Sequence, residues 1–417
     1  MRRVVITGAG AVSPLGVGVP ALVGGVEAGR GATRRMESWD GFKGLRSRVA
    51  ALAPLENERA IPRRYRRTMG RMSLFAYQAA VEAMAEAGLG SADTASGRMG
   101  CAVGSTMGSA ISLNRAFEAM IPNRDLSELS STLFFQCVSH TAAMNVGQAL
   151  GLGGCVFAPS AACASALQAI GLGFDLVRSG RQDVMLCGGA EEVHATVTGS
   201  FDLLYAASTR YNDAPERTPR PFDADRDGLV CGEGSGILVL ESLDRARRRG
   251  APILAEVLGF HTCGGGDHVS ESNRKAMADC MRGALADAGL DAGRVDAINA
   301  HATATLQGDG EEVAAIREVF GGAVPTSSLK GHLTHTLGAS AALELIVALA
   351  GMRRGRVYPT RNLERVAPEC EGILHVRDAP APVDIRVLAK NSFAFGGICA
   401  VLLCGRTEET PAEARTA

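Results

Sequence analysis

The chain repeats short stretches of its own sequence in the same order, and this similarity restricts the folds that it can adopt. Three stretches of the first part have a counterpart further along, although the offset within the pairs is not constant. The pairs are 83–89 (AMAEAGL) with 284–290 (ALADAGL), 139–141 (SHT) with 334–336 (THT), and 236–240 (GILVL) with 398–402 (ICAVL). Repeats of this kind predict a duplicated structural unit, and the join falls near residues 250–256.

Helical and strand-like patterns alternate in both halves. The helical stretch that ends at 83–89 precedes the apolar run 101–104, and the stretch that ends at 284–290 precedes 297–300. Alternation of this kind predicts an α/β protein in which helices cover parallel sheets.

The size and composition agree with two large halves. The chain has 417 residues, of which 46% are hydrophobic, enough for an extensive core. We expect an N-terminal half over 1–255 and a C-terminal half over 256–405. Residues 406–417 lack large apolar side chains, so we expect a disordered tail there.

Charge and cysteine usage argue against several classes of protein. A net charge of −1 gives no general case for nucleic-acid binding. The 11 cysteines include no CxxC pair and no metal-ligand spacing, so we expect a reduced, cytoplasmic protein without a metal. No apolar run is long enough to span a bilayer, so we expect no membrane association.

The first strand-like run, 4–7, is followed by GAGAVS at 8–13, which superficially resembles a dinucleotide-binding loop. The third glycine of a GxGxxG motif is missing because Ser13 stands in its place, and Pro14 follows. We therefore reject a nucleotide site at this turn.

Cys163 lies where the strand-like run 155–157 gives way to a helical pattern that includes Leu167 and Ile170. Small residues surround it and leave room for a substrate carbonyl. At a helix N-terminus the helix dipole and free N–H groups favour a thiolate, which predicts a nucleophile. A buried structural cysteine is the alternative, because cysteine is among the most buried residue types.

Two histidines lie at the ends of predicted elements, where α/β folds place reacting groups. His301 follows a strand that ends at Asn299, and His335 precedes an apolar helix that contains Glu344. A thiolate accepts an acyl group from a thioester, and two neutral imidazoles can hydrogen-bond an enolate oxygen. Lys330 and Glu344 either set the local field as a pair or simply stabilise the loop.

A basic cluster formed by Arg63, Arg64, Arg66 and Arg67 precedes a helix that we expect to begin near Ser73. Charge alone favours a solvated helix entry. The alternative is a docking patch for an acidic partner.

Four motifs in this order resemble those of the elongating β-ketoacyl-acyl carrier protein synthases. They contain Cys163, His301, Lys330 with His335, and residues 391–397 (NSFAFGG). The resemblance covers residues 1–405 and implies a thiolase-like fold, with two duplicated βαβαβαββ halves in a layered α-β-α-β-α core. It implies decarboxylative Claisen condensation of an acyl thioester with malonyl-acyl carrier protein, in fatty-acid or polyketide and polyene biosynthesis.

The resemblance also implies roles for the site residues. Cys163 would be acylated, and its N–H and that of Phe395 would form the oxyanion hole. His301 and His335 would assist malonyl decarboxylation. The other assignments are Lys330 and Glu344 as the supporting pair, Thr303 and Thr305 for the pantetheine arm, Phe395 as the gate of the acyl pocket, Met107 as the limit on chain length, and Arg63, Arg64, Arg66 and Arg67 for the carrier protein.

No cofactor is implied, because phosphopantetheine arrives on the carrier protein. We expect a homodimer, or a heterodimer with a chain-length-factor subunit. A non-decarboxylative thiolase is the enzymatic alternative, with Cys399 as its second cysteine. A non-catalytic chain-length partner is disfavoured by the presence of Cys163.

The chain departs from the usual family pattern at several positions near the predicted pocket, which favours a specialised pathway over ordinary membrane-lipid synthesis. These positions are Ala302, His332, Thr334, Ala394, Ile398 and Cys399.

Overall fold

The computed structural model describes residues 1–122, 124–127, 129–265 and 272–410. Within these ranges the strands are β1 (Val4–Ser13), β2 (Gly16–Val17), β3 (Arg34–Arg35), β4 (Val49–Ala50), β5 (Met99–Gly104), β6 (Val156–Phe157), β7 (Val184–Glu191), β8 (Gly234–Ser242), β9 (Ala255–Gly264), β10 (Ala297–Asn299), β11 (Pro325–Ser327), β12 (Arg356–Val357), β13 (Leu374–His375), β14 (Ala381–Pro382), β15 (Val387–Phe393) and β16 (Ile398–Gly405). The α-helices are α1 (Val19–Glu27), α2 (Arg63–Arg66), α3 (Arg71–Ala87), α4 (Ser91–Thr94), α5 (Ala110–Met120), α6 (Ser131–Cys137), α7 (Thr141–Leu150), α8 (Ser165–Arg178), α9 (Ala195–Leu203), α10 (Leu243–Arg249), α11 (Arg274–Ala288), α12 (Leu306–Phe320), α13 (Lys330–Leu333) and α14 (Ser340–Arg354).

The two halves share one order of main elements. The first runs β1-α3-β5-α7-β6-α8-β7-β8, and the second runs β9-α11-β10-α12-β11-α14-β15-β16. In each half the first strand pairs antiparallel with the last, which pairs antiparallel with the strand before it; the other two strands extend the sheet in parallel. The predicted duplicated βαβαβαββ unit is confirmed.

The halves meet edge to edge at their first strands. β1 pairs with β9 as well as with β8, with Val4 opposite Val257. This pairing continues the hydrogen-bonding through a 12-stranded arrangement, whose order is β13-β11-β10-β15-β16-β9-β1-β8-β7-β5-β6, with β2 on β1.

The core has the layers that the resemblance implies. Helices α8 and α14 contribute to one central apolar cluster together with strands of both halves. Helices α3 and α7 cover the outer face of the first half, and α11 and α12 cover that of the second. The α-β-α-β-α order is therefore confirmed, and the turns that lead into α8 and α14 come close together.

One of the predicted sequence echoes is wrong. Residues 139–141 lead into α7, which begins at Thr141, whereas 334–336 precede α14, which is the counterpart of α8. The true equivalents are two turns with the same unusual backbone, because Ala162 has φ +46° and Leu337 has φ +47°. Cys163 thus corresponds to Gly338, one residue further on, and the shared Thr/Ser-His-Thr triplet is coincidental.

The arginine cluster precedes a helix, as expected: α3 begins at Arg71, close to the expected start near Ser73. Arg63, Arg64 and Arg66 also form a short helix of their own, α2, which was not predicted. The predicted disordered tail is wrong for its first residues. Glu409 pairs with Arg247 at 2.6 Å, and the N–H of Arg406 donates to the Arg386 carbonyl. Residues 411–417 lie outside the described residues.

Among the described residues, no helix combines the length and the apolarity that crossing a bilayer requires.

Candidate active site

Cys163 occupies a tight turn at the N-terminus of α8. The turn, Ala162–Ala164, runs directly into Ser165, whose Oγ donates to the Ala162 carbonyl at 2.7 Å. Ser392 Oγ, on β15, donates to the Cys163 carbonyl at 3.0 Å. These contacts fix a cysteine whose side chain is buried at the base of a cavity.

The two predicted histidines lie beside this thiol. His335 Nε2 is 2.9 Å from Cys163 Sγ. The ring centroids of His301 and His335 are 5.3 Å apart, with the rings edge to face. Sequence reasoning therefore identified three side chains that the fold brings together from three separate segments.

Glu312 on α12 holds the His301 loop, and no sequence pattern pointed to it as a site residue. The backbone N–H groups of His301 and Ala302 donate to its two carboxylate oxygens at 2.8 and 2.7 Å. Asn391 Nδ2 donates to the same carboxylate at 3.0 Å. An acid within an amphipathic helix looks like a surface residue until its partners are known, and Glu312 is buried.

Lys330 and Glu344 form the predicted pair, with 2.7 Å between Nζ and Oε1. Lys330 Nζ also donates to the carbonyl of His301, which links the pair to the histidine loop. A second lysine that was not predicted as a site residue, Lys390 on β15, binds the other oxygen of Glu344. All three charged groups are buried.

Glu344 remains ionised in this setting. Burial alone would raise the pKa of its carboxyl, but the ammonium groups of Lys330 and Lys390 outweigh burial and hold the pKa at about 2. Burial lowers the pKa of Lys390 to about 8, against the attraction of Glu344.

The expected thiolate at Cys163 is wrong for the resting protein. Burial raises the pKa of the Cys163 thiol to about 12, although Lys330 and the N–H groups of Cys163 and Phe395 act in the opposite direction. A short turn supplies only a few donors, and loss of hydration outweighs them. The cysteine is therefore a neutral thiol whose neighbour, His335, can accept its proton.

Both imidazoles are neutral, as the sequence predicts. Burial, followed by the charge of Lys330, lowers the pKa of His301 and of His335 well below the usual range for histidine. Neutral rings can each donate one N–H and accept one proton, which suits both roles considered for them.

The cavity above the thiol contains most of the other predicted residues. His301, Thr303, Thr305 and Phe395 line it together with Cys163. The two threonine hydroxyls lie 3.2 Å apart on the loop after His301. Phe395 contacts Phe201 with ring centroids 6.0 Å apart. The backbone N–H groups of Cys163 and Phe395 both lower the pKa of the Cys163 thiol, so both donors lie beside the nucleophile, where the predicted oxyanion hole would need them.

Other predicted residues lie outside this cavity. Met107 is 42% exposed and does not line it. Arg63, Arg64 and Arg67 are exposed on α2 and the residue after it, whereas Arg66 is partly buried and donates to the Glu58 carbonyl. Sequence motif spacing could place neither Met107 nor the arginines relative to the thiol.

Cys399, the candidate second cysteine of a thiolase, also lines the cavity. Burial raises the pKa of its thiol to about 12, and Sγ faces the Gly397 carbonyl at 4.0 Å. It is not part of the compact group formed by Cys163, His301 and His335. The histidine pair, not Cys399, is placed for proton transfer at the nucleophile.

The departures from the family pattern have different consequences. Thr334 has φ +63° and ψ −172°, a region that strongly favours glycine, so the turn before His335 is strained. His332 is buried away from the thiol, and its two ring nitrogens face the carbonyl oxygens of Arg30 and Pro359 at 3.0 and 3.1 Å. His332 therefore connects the loop after α1 to the loop after β12.

The site could also hold a soft metal ion. The side-chain ligand atoms of Cys163, His301 and His335 lie within 4.8 Å of one another, the one such group in the described ranges. Cysteine and histidine are ligands that zinc accepts, but the condensation chemistry considered for this site does not require a metal.

Comparison with known proteins agrees with this geometry. A family model described as "Beta-ketoacyl synthase, N-terminal domain" matches residues 1–246, and one described as "Beta-ketoacyl synthase, C-terminal domain" matches residues 254–364. The chain is 33% identical to 3-oxoacyl-[acyl-carrier-protein] synthase 1 of Haemophilus influenzae, covering 97% of this chain and 99% of that protein.

Solved structures show the same similarity. A β-ketoacyl synthase from Burkholderia phymatum is 43% identical with a TM-score of 0.95, covering 98% of this chain and 100% of that one. A type II polyketide ketosynthase, solved with its acyl carrier protein and a hexaketide, is 30% identical with a TM-score of 0.90, covering 98% and 100%. The chain therefore belongs to the β-ketoacyl synthase family, whose members are condensing acyltransferases.

Proposed function

We propose that this enzyme condenses an acyl thioester with malonyl-acyl carrier protein, releasing carbon dioxide and forming β-ketoacyl-acyl carrier protein for fatty-acid or polyketide synthesis. The observation that carries the proposal is the group formed by Cys163, His301 and His335, whose reacting atoms lie within 4.8 Å of one another. A nucleophile and two neutral imidazoles at one cavity serve acyl transfer and enolate stabilisation together.

The first half-reaction is acyl transfer to the thiol. His335 Nε2 takes the proton as Cys163 Sγ attacks the thioester carbonyl. The N–H groups of Cys163 and Phe395 hold the oxyanion, and the C–S bond to the carrier's pantetheine then breaks. The departing thiolate takes the proton from His335, which leaves an acyl-cysteine and a neutral imidazole.

The second half-reaction uses both imidazoles as hydrogen-bond donors; once Cys163 is acylated, His335 exchanges its Nδ1 proton for one on Nε2 through solvent, so that Nε2 can donate. The carbon–carbon bond to the malonyl carboxylate breaks, carbon dioxide leaves, and the electron pair forms an enolate whose oxygen lies between His301 and His335. The enolate carbon attacks the acyl-Cys163 carbonyl. The Cys163 thiolate leaves and regains a proton from solvent, so no further cofactor is needed.

Thr303 and Thr305 support binding of the pantetheine arm, because both residues line the cavity that also contains Cys163. The exposed Arg63 and Arg64 on α2, with Arg67 directly after it, support docking of an acidic carrier protein there. Met107, outside the cavity of one chain, would limit acyl length only if substrate extends beyond that cavity.

We also propose that the enzyme acts as a dimer in the cytoplasm. Large apolar side chains are exposed on α5 and α6, which suits coverage by a second copy or by a chain-length-factor subunit. All 11 cysteines are free, as expected in a reducing compartment.

The two half-reactions can be separated with His301→Ala. Because His301 does not contact the thiol at hydrogen-bond distance as His335 does, we expect malonyl decarboxylation to fall by about 10²- to 10³-fold, as for loss of one oxyanion donor. Acylation of Cys163 should change by less than about threefold. Decarboxylation is followed by carbon dioxide release and acylation by intact mass, with the exposed His140→Ala as control. Equal loss of both steps would contradict the assigned role.

A further inference from the structure

The buried charged cluster behind the histidines contains Lys390 in addition to the predicted pair of Lys330 and Glu344. The chain has only four lysines, and two of them, Lys330 and Lys390, bind opposite oxygens of Glu344. Burying a second ammonium costs hydration energy and adds repulsion between the two lysines. Simple neutralisation of Glu344 needs only one of them.

Lys390 is fixed by its place in the sheet. It lies in the middle of β15, opposite Asn299 on β10 and Leu402 on β16, and is 1% exposed. Its strand then continues to Ser392, which binds the Cys163 carbonyl at 3.0 Å. The ammonium is therefore held by a strand that also supports the nucleophile turn.

Glu344 connects Lys390 to the His301 loop through hydrogen bonds. One oxygen accepts from Lys390, and the other accepts from Lys330 and from Ser340 Oγ, each at 2.7 Å. Lys330 in turn donates to the His301 carbonyl. Without Lys390, one carboxylate oxygen loses its charged partner, and Glu344 can rotate away from Lys330.

The same ammonium also acts through space. With one carboxylate and two lysines, the cluster carries a net positive charge behind His301 and His335. Positive charge there favours neutral imidazoles and an enolate in front of them. Two further acidic side chains face the loop: Glu312 accepts from the N–H groups of His301 and Ala302, and Asp309 accepts from the N–H of Ala304.

We propose that Lys390 is a positioning residue for malonyl decarboxylation, acting through Glu344 and Lys330 on the His301 loop. This inference rests on the proposed function. Because it concerns the loop and not the thiol, loss of Lys390 should affect the two half-reactions unequally.

Lys390→Met keeps most of the side-chain volume but removes the charge. We expect malonyl decarboxylation to fall by about 10- to 100-fold, less than for loss of a direct donor. Alkylation of Cys163 by iodoacetamide should change by less than about threefold. The matched control is Lys275→Met, because the Lys275 side chain is 84% exposed and remote from this cluster.

Lys390→Ala provides a second readout that a merely structural role would not give. The truncation leaves a polar space beside Glu344, and Oδ1 of Asn299, which lies opposite Lys390 on β10, is buried without a hydrogen-bond partner in the described part of the chain. Methylammonium should therefore restore decarboxylation at least several-fold in this variant, and have no such effect on wild type or on Lys275→Ala.

The outcomes separate the two proposals. Unchanged decarboxylation in Lys390→Met, or equal loss of decarboxylation and alkylation without rescue of Lys390→Ala by methylammonium, would overturn the role of Lys390. Failure of wild-type protein to decarboxylate malonyl-acyl carrier protein would instead overturn the proposed function. Thermal unfolding of each variant checks that the fold is retained.

Discussion

At the scale of single residues, the protonation state of Cys163 is set by a competition. The N–H groups of Cys163 and Phe395 and the charge of Lys330 favour the thiolate, but the thiol is buried and its pKa rises to about 12. Motif reasoning anticipated the donors and could not anticipate the burial, because burial depends on how distant segments close over the turn. The nucleophile therefore depends on His335, 2.9 Å away, to remove its proton.

This protonation state can be measured by the pH dependence of alkylation. Because the raised pKa leaves Cys163 protonated at neutral pH, the thiolate fraction should rise about tenfold per pH unit between roughly pH 7 and pH 9. The rate of iodoacetamide alkylation at Cys163, followed by peptide mass mapping, should rise accordingly. A rate that is already on a plateau at pH 7 would indicate a resting thiolate–imidazolium pair and would contradict this assignment.

The site residues that sequence reasoning found lie at the ends of helices and strands, whereas those that it missed lie within them. Cys163, His301 and His335 were found because chemically distinctive side chains stand at element ends. Glu312 and Lys390 were missed because each lies within a helix or strand, where only its tertiary partners distinguish a buried charge from an ordinary one. The scarcity of lysine was the one signal that pointed toward Lys390.

At the scale of elements, the glycines of the first strand explain why its motif misleads. Gly8 and Gly10 lie inside β1, not in a phosphate-binding loop. A Cβ at Gly10 would lie 1.9 Å from the Ala79 carbonyl oxygen, and one at Gly8 would lie 2.2 Å from that of Ala83. These glycines are needed because α3 packs directly on the backbone of β1.

Gly10→Ala should therefore destabilise the fold severely. Both sides of the contact are backbone, so neither can move aside, and we expect a loss of about 3 kcal/mol or more in the free energy of unfolding. Gly24→Ala is the control, because Gly24 is exposed on α1 and a Cβ there meets nothing within 4 Å. That change should be neutral or stabilise by up to about 1 kcal/mol. If chemical denaturation gave the same free energy of unfolding for both variants, the close contact between α3 and β1 would be refuted.

The elements also show where local patterns fail. The 83–89 and 284–290 stretches end equivalent helices, both closed by a left-handed glycine, Gly88 or Gly289. The triplet around His335 had no such support, since three residues are too few to define an element. The short helix α2 was missed because four residues give no hydrophobic period.

At the scale of the whole molecule, the sequence repeats predict the duplication and the alternation of elements predicts sheets covered by helices, whereas the layered core was implied by the family resemblance. Which surfaces meet another chain is not encoded in that periodicity. Phe134 on α6 is 65% exposed, and Phe117 on α5 and Ile121, the residue after α5, are also exposed. These side chains are the surface that we assign to association with a second subunit.

Phe134→Glu should weaken that association. A carboxylate in an otherwise apolar contact must lose hydration without gaining a partner, so the variant should sediment more slowly than wild type at equal concentration. Leu374→Glu serves as control, since Leu374 is also exposed but lies on β13 at the opposite end of the strand order. Unaltered sedimentation of Phe134→Glu, or an equal effect of both variants, would place the subunit contact elsewhere.

The central claim is that Cys163 carries the acyl group, and intact mass measurement tests it most directly. Wild-type protein would be incubated with acyl carrier proteins bearing acyl chains of several lengths, and Cys163→Ala would be treated in parallel. We predict a mass gain of one acyl group in wild type and none in Cys163→Ala, with the preferred chain indicating the pathway. An acyl adduct that persists in Cys163→Ala would contradict the account.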